Sequence, residues 1–341
     1  MNNTVSIISA TPAFNDFETA EETGSEVELR SLSFGPEYHG VRIDRALSTL
    51  VPEFSRSYLQ QLVDLGAVSV NGKCVTKASF KVKASDCGVV ELRPTPQSQA
   101  FKAELLPIDL VYQDEFLLVI NKPAGLVVHP APGNWNGTLM NRLLGFDSSA
   151  FDLPRAGIVH RLDKDTSGLM VVARTRPVMD ALVSAIAART VKRQYLALAH
   201  GVWRGPRLRQ VTFPVGRDPG NRLRMAAVDL TVHAGKAAKT DVEYLTGCDL
   251  GCLVKCTLHT GRTHQIRVHM AAISHPLVAD SVYGGVAAAG MHRQALHAAR
   301  LAFVHPVTTK ALDFSAALPT DLGLALELWG LKYNPNFFLP A

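Results

Sequence analysis

Apolar side chains early in the chain recur at helical spacing and then give way to alternation. Between residues 42 and 51 the apolar positions are Ile43, Ala46, Leu47 and Leu50, one face of a helix. Residues 58–65 repeat the pattern, with Ser55 or Ser57 suited to the N-cap and Gly66 to the C-terminal stop. Val68, Ser69 and Val70 alternate as a strand, Asn71-Gly72 is a hairpin dipeptide, and residues 88–92 form another short strand. The polar, proline-rich stretch 94–99 reads as a linker. Beyond it the periodicity predicts strands at 116–123, stopped by Pro123, and at 168–174, 194–199 and 253–259. Helices are predicted at 178–188 and at 263–273, the latter with Ile266, Met270 and Ile273 on one side. The pattern implies an α+β body built round a mixed or antiparallel sheet, preceded by a small module of two helices and short strands.

Composition narrows the class. A hydrophobic fraction of 47% is ordinary for a chain with a sizeable core. No run approaches the length of a membrane span, and residues 1–20 lack a basic segment followed by an apolar one, so neither membrane nor secretory signal is expected and the protein is read as cytoplasmic. An odd number of cysteines suits a reducing compartment. Cys248, Cys252 and Cys256 recur at every fourth position, which invites a metal, but their surroundings look like strand and zinc sites pair closer spacings. No metal site is expected.

The formal charge of +5 conceals an asymmetry. Residues 1–29 hold Asp16, Glu18, Glu21, Glu22, Glu26 and Glu28 and no Lys or Arg, which leaves the remainder with 35 basic against 24 acidic side chains. An acidic, low-complexity head on a basic body predicts a disordered tail ahead of a polyanion-binding protein. The expected organisation is therefore an acidic tail at 1–34, a basic module at 35–93, a linker at 94–104, a main domain at 105–330 and a C-terminal tail at 331–341.

One segment carries more chemistry than packing would ask for. His160-Arg161-Leu162-Asp163-Lys164-Asp165-Thr166-Ser167-Gly168 sets carboxylates, cations and hydroxyls between apolar runs. A polar loop at a strand edge is where catalytic side chains are presented. A plain charged hairpin, or a metal-binding pair formed by Asp163 and Asp165, fits the same residues.

Residues 160–175 resemble the signature of the RluA family of pseudouridine synthases, with Asp163 where that family has its catalytic aspartate. Lys192-Arg193-Gln194-Tyr195-Leu196-Ala197 is similar to the family's second motif, and Leu258-His259-Thr260-Gly261-Arg262-Thr263-His264-Gln265-Ile266-Arg267-Val268-His269-Met270 to its third. Residues 121–130 and His275-Pro276-Leu277-Val278-Ala279-Asp280 also fit, and the basic module, with Arg42, Arg45, Arg56 and Lys73, resembles an S4 RNA-binding domain. The likeness spans about residues 35–325. It implies the pseudouridine synthase fold, a mixed and largely antiparallel sheet with flanking helices. It further implies isomerisation of uridine without cofactor, by Asp163 with Tyr195 stacking on the base and Arg267 as charge partner, Arg262 being the less favoured choice for that arginine. Arg161, expected to face away from Asp163, would fill the space left by a flipped uridine, and Arg161, Arg262, Arg42, Arg45, Arg56 and Lys73 would contact RNA. Residues 127–139 and 154–159 are most similar to family members acting on large-subunit ribosomal RNA, which implies that RNA or its precursor particle as partner, the loop of helix 69 as target, and a monomer. A sibling synthase with another RNA target, and an RNA-binding ribosome-assembly factor, are the alternatives.

Overall fold

A computed structural model describes residues 28–52, 54–93, 101–131 and 133–334, and they divide between Thr95 and Pro96 into two compact units. The first contains β1 (Glu28–Ser33), α1 (Ile43–Leu50), α2 (Arg56–Asp64), β2 (Val68–Val70), β3 (Lys73–Cys74) and β4 (Cys87–Leu92). Its sheet runs β1-β4-β2-β3, every pair antiparallel. Asn71 and Gly72 both take positive φ, 49° and 74°, the conformation a two-residue turn needs to match strand twist. Ser55, rather than Ser57, caps α2 by accepting the Tyr58 N–H at 3.2 Å. Ile43, Ala46 and Leu47 pack with Leu59, Leu62 and Phe34 in this unit's core.

Most of the expected acidic tail lies outside the described residues, but its inner end needs correcting. Residues 28–33 are β1, paired along β4, because Leu32 and Phe34 turn inward and the strand covers an edge that would otherwise be open. The expected linker overran in the same way: Glu104 N–H donates to the Asn141 carbonyl at 3.0 Å, and the Asn141 side-chain amide donates to the Lys102 carbonyl at 2.9 Å, so 102–104 are fixed to the second unit. At the other end Leu331 is buried and Tyr333 packs beside it, so the start of the expected C-terminal tail belongs to the core.

The second unit contains β5 (Leu110–Gln113), β6 (Leu117–Lys122), α3 (Leu139–Phe146), β7 (Ser167–Ala173), α4 (Arg176–Ala187), β8 (Lys192–His200), β9 (Leu208–Val211), β10 (Val215–Arg217), β11 (Met225–Ala227), β12 (Gly235–Lys236), β13 (Thr240–Gly247), β14 (Gly251–Leu258), α5 (Gln265–Ala272), β15 (Leu296–Val304), β16 (Ala311–Ser315) and α6 (Thr320–Leu328). Its nine-stranded sheet has the order β5-β6-β7-β15-β8-β14-β13-β9, with β16 on β15; only β7 and β15 run parallel, which makes the sheet mixed as expected. Strands β10, β11 and β12 make a separate small sheet.

Alternation sorts the strand side chains onto two faces. Met170, Val172, Ala197 and Val254 share one core with α3 and α5, through Leu143, Ile266 and Met270. On the other face Leu169 and Val171 pack with Val178 and Leu182 of α4, and Leu196, Leu198 and Leu253 pack with Leu322 and Leu326 of α6. The central strands are thus covered on both sides, which is why β7 reads as an unbroken apolar run rather than an alternation. Cys252 and Cys256 are two such buried strand positions, and burial pushes the Cys252 thiol up to about 12. Among the described residues no helix is long and apolar enough to cross a membrane.

Candidate active site

The loop carrying Asp163 enters β7 at its buried start. Gly168 has φ 116°, and a Cβ there would lie 2.3 Å from the Ala298 carbonyl oxygen. Only glycine permits that approach, which pairs β7 with β15 and sets where the preceding loop leaves the sheet. Lys122, also fully buried, ties the loop down: its Nζ donates to the carbonyls of Pro123, Leu126 and Lys164 at 2.8, 2.9 and 2.9 Å.

Asp163 Oδ2 accepts a hydrogen bond from Arg267 Nη1 at 3.2 Å. Arg267 extends from α5 and is itself held from behind, since its Nε and Nη2 donate to the two oxygens of Asp280 at 2.7 and 2.8 Å. The guanidinium therefore bridges a wholly buried carboxylate and one that keeps some exposure, 1% against 14% of the side chain. Burial opposes its charge, but the two carboxylates outweigh burial and raise its pKa. Tyr283 lies against the same guanidinium, whose carbon is 4.9 Å from the ring centre.

His264 completes this side of the site. Its backbone is left-handed, φ 56°, an unfavoured conformation for a non-glycine residue, and α5 begins immediately after it. Its Nε2 stands 3.8 Å from Asp163 Oδ1, and its Nδ1 is 2.8 Å from the Tyr283 hydroxyl, which in turn accepts the Met225 N–H. Burial lowers its pKa, opposed by the charge of Asp163.

Asp163 and Arg267 border a cavity of about 320 Å³ whose wall includes Arg161, Arg193, Tyr195 and Arg262. Tyr195 is 5% exposed, presents one side to the cavity and is otherwise part of the core; burial pushes its hydroxyl up to about 12. Arg161, expected to face away from Asp163, instead lines the same cavity. Asp165 meets Arg293 through its backbone carbonyl, which accepts from Arg293 Nη1 at 2.9 Å, while the carboxylate on Arg293 is that of Asp321. Arg262 keeps its Nε on the Ala237 carbonyl and gives its backbone N–H to Gln265 Oε1, leaving Arg267 as the arginine that meets Asp163.

Asp280, Tyr283 and His264 were not predicted as site residues, and neither were Arg189 and Arg193 in the cavity wall. A weak signal existed for some of them: His264 sits inside the third motif, and Asp280 ends the stretch His275-Pro276-Leu277-Val278-Ala279-Asp280. In the first unit Arg42 and Arg56 both reach the buried Asp44, at 3.0 and 2.7 Å, so Arg56 also pins α2 to α1. Burial disfavours that carboxylate's charge, yet the hydrogen bonds from the two arginines prevail and hold its pKa below the ordinary range. Arg45 and Lys73 are exposed and have no such duty.

Two histidines near the site make stability depend on pH. His160 takes the Val171 N–H on Nε2 at 3.1 Å, and burial, with Arg193 nearby, lowers its pKa to about 3; burial and Arg293 lower that of His297 to about 4. Below the ordinary value of 6.5 the unfolded chain binds protons that these folded rings refuse. Stability is therefore full above about pH 6.5 and falls as the pH drops toward about 4, by up to about 1.4 kcal/mol per pH unit for each ring. Melting temperature should decline steadily across that window; an identical melt at both ends would show that water reaches the rings.

A family model for RNA pseudouridylate synthase matches residues 116–272, and one for the S4 domain matches 41–86. The chain is 44% identical over 330 residues to a ribosomal large subunit pseudouridine synthase D of Neisseria meningitidis serogroup B, covering 93% of this chain and 86% of that one. It is 42% identical to a protein of the same name from Zymomonas mobilis, covering 85% and 94%. Among solved structures, human RNA pseudouridylate synthase domain containing 1 superposes with a TM-score of 0.51 at 26% identity, over 67% of this chain and 87% of that one.

Proposed function

The chain belongs to the RluA family of RNA pseudouridine synthases and carries an S4 domain, and on that premise we propose that it isomerises uridines of large-subunit ribosomal RNA with Asp163 as the catalytic group. The observation that carries the reading is the bridge Asp163–Arg267–Asp280 at the edge of a cavity that Tyr195 also lines. At about 320 Å³ the cavity has the size of a small-ligand pocket. A uridine must leave its stack to enter it, at a few kcal/mol, and least in a loop, where stacking is already incomplete. The loop of helix 69 is such an element and is the proposed target. Arg161 lines the cavity at Asp163 and is the side chain proposed to take the vacated space.

The reaction moves the ribose C1′ from N1 to C5 of the base, so product and substrate have the same atoms. Asp163 either attacks the nucleoside or removes a sugar proton; both roles need an ionised carboxylate held still. Arg267 does the holding and Asp280 fixes Arg267. Tyr195 offers its ring face to the uracil.

The test is a pseudouridine map of ribosomal RNA from cells lacking the gene, complemented with wild type or Asp163→Asn. Loss of helix 69 pseudouridines, restored only by wild type, is expected. Loss at another RNA would move the target and keep the chemistry. An unchanged map, with ribosome assembly restored by Asp163→Asn, would replace the reading by that of an assembly factor.

The S4 unit is proposed to anchor the RNA through its exposed basic side chains. Replacing Arg45 and Lys73 by alanine should reduce the slope of log affinity against log salt by about 0.7–0.9 for each phosphate no longer neutralised. Arg56→Ala is a poorer probe, because it also strips a partner from the buried Asp44. An unaltered slope in the double variant would place the anchor elsewhere.

A further inference from the structure

Arg193 is 6% exposed, yet among the described residues its guanidinium makes no hydrogen bond or ion pair, and its Nε is sealed from solvent without an acceptor. Three other arginines of this unit with little exposure are paired with carboxylates: Arg267 with Asp280 and Asp163, Arg293 with Asp321, Arg174 with Asp147. A buried cation left alone is costly enough that its presence calls for an acceptor that arrives from outside. The fold makes room for it: a Cβ on Gly261 would lie 2.9 Å from Arg193 Nη1, so the backbone of the third motif passes close against the guanidinium.

The position is specific. Arg193 and Tyr195 are two residues apart on β8, paired opposite Leu258 and Cys256 of β14, and both line the cavity at Asp163. His160 lines it too, and its Nδ1 is likewise buried without a partner. Because His160 Nε2 accepts the Val171 N–H, the proton of the neutral ring sits on Nδ1. The wall thus offers the Arg193 guanidinium as a donor with nothing to receive it. A phosphate of an RNA chain must stay at the mouth, with strand leaving in both directions. The part of a flipped nucleotide that reaches an inner wall is the base.

We propose that Arg193 binds a carbonyl oxygen of the target uracil and holds the negative charge that the base acquires when it is cut from the sugar. The inference rests on the pseudouridine synthase reading. The C1′–N1 bond breaks with its electron pair going to N1, and the anion spreads onto O2 and O4. The sugar carbon is left bonded to the Asp163 carboxylate, or becomes a glycal after its 2′ proton passes to Asp163. C5 then bonds to C1′ as the Asp163–C1′ bond breaks and frees the carboxylate, or as Asp163 returns its proton to C2′ of the glycal, and the C5 proton is lost as N1 is protonated. On either route the detached base is an anion, and Arg193 meets it as a donor already in place.

The experiment compares unmodified large-subunit ribosomal RNA transcripts made with uridine or with 5-fluorouridine. Fluorine makes the departing base a weaker base, so its anion needs less help. Glycosidic cleavage is followed in single turnovers by mass spectrometry of nucleoside digests, with RNA affinity measured alongside. Arg193→Met should slow cleavage of the uridine transcript by about 100-fold, the effect of removing one preorganised donor. The loss should be several-fold smaller on the fluorinated transcript, and RNA affinity should be unchanged. Equal losses on the two transcripts, or a loss confined to affinity, would overturn the proposal and make Arg193 a structural or phosphate-binding residue. If Arg193→Met gives no cooperative melt, Arg193→Lys, which keeps the charge and loses the fork, is read by the same comparison with smaller losses expected. Wild type inactive on the uridine transcript would instead sink the underlying function.

Discussion

Asp163→Asn is expected to abolish pseudouridine formation, lowering the single-turnover rate on the order of 10⁴-fold or more, the scale on which removal of a covalent or general-base group acts. The fold should survive the change. Asn keeps the shape of the side chain, which is 14% exposed, and Arg267 retains its two hydrogen bonds to Asp280 at 2.7 and 2.8 Å. Stability should shift by no more than about 1–2 kcal/mol, the scale of one hydrogen bond to a charged group. Release of tritium from C5 of labelled RNA measures the rate, and a thermal melt measures the fold. Turnover within tenfold of wild type would move the chemistry to another residue.

How far this site was legible in the sequence varies with the kind of signal. Asp163, Tyr195 and Arg267 stand inside dense motifs whose polar residues interrupt apolar runs, so the interruption itself marks them. Asp280 and Tyr283 are ordinary letters in a loop; their importance comes only from α5 folding back so that Arg267 reaches both. Arg193 could be named as a motif residue, but that its guanidinium is buried and unpaired is a property of the packed sheet. The long central strands were legible because burial on both faces leaves an apolar run, as in β7. Strand β1 was not, because its only deeply buried position is Leu32 and its first residue looked like part of the acidic tail. Strands β9 to β12 are two to four residues long and carry too few periods to announce themselves.

Arg267→Met should damage both stability and catalysis, and the two can be separated. Asp280 is 1% exposed and accepts two hydrogen bonds from Arg267; without them it is a buried carboxylate with no cation. Breaking a buried pair from one side costs about 3–5 kcal/mol, which a urea titration would show as a lower midpoint. Methionine still packs on the Tyr283 ring, so the loss is electrostatic rather than one of volume. Adding Asp280→Leu removes the stranded carboxylate, and replacing both members of a buried pair by apolar groups is close to neutral. The double variant should therefore recover most of the midpoint. Its activity should not return, because Asp163 still lacks the donor that stood 3.2 Å from its Oδ2, a deficit of about 10²–10³-fold in rate. Recovery of both properties together would mean that Arg267 serves the fold alone; recovery of stability without rate is the expected result and assigns Arg267 to positioning the carboxylate that does the chemistry.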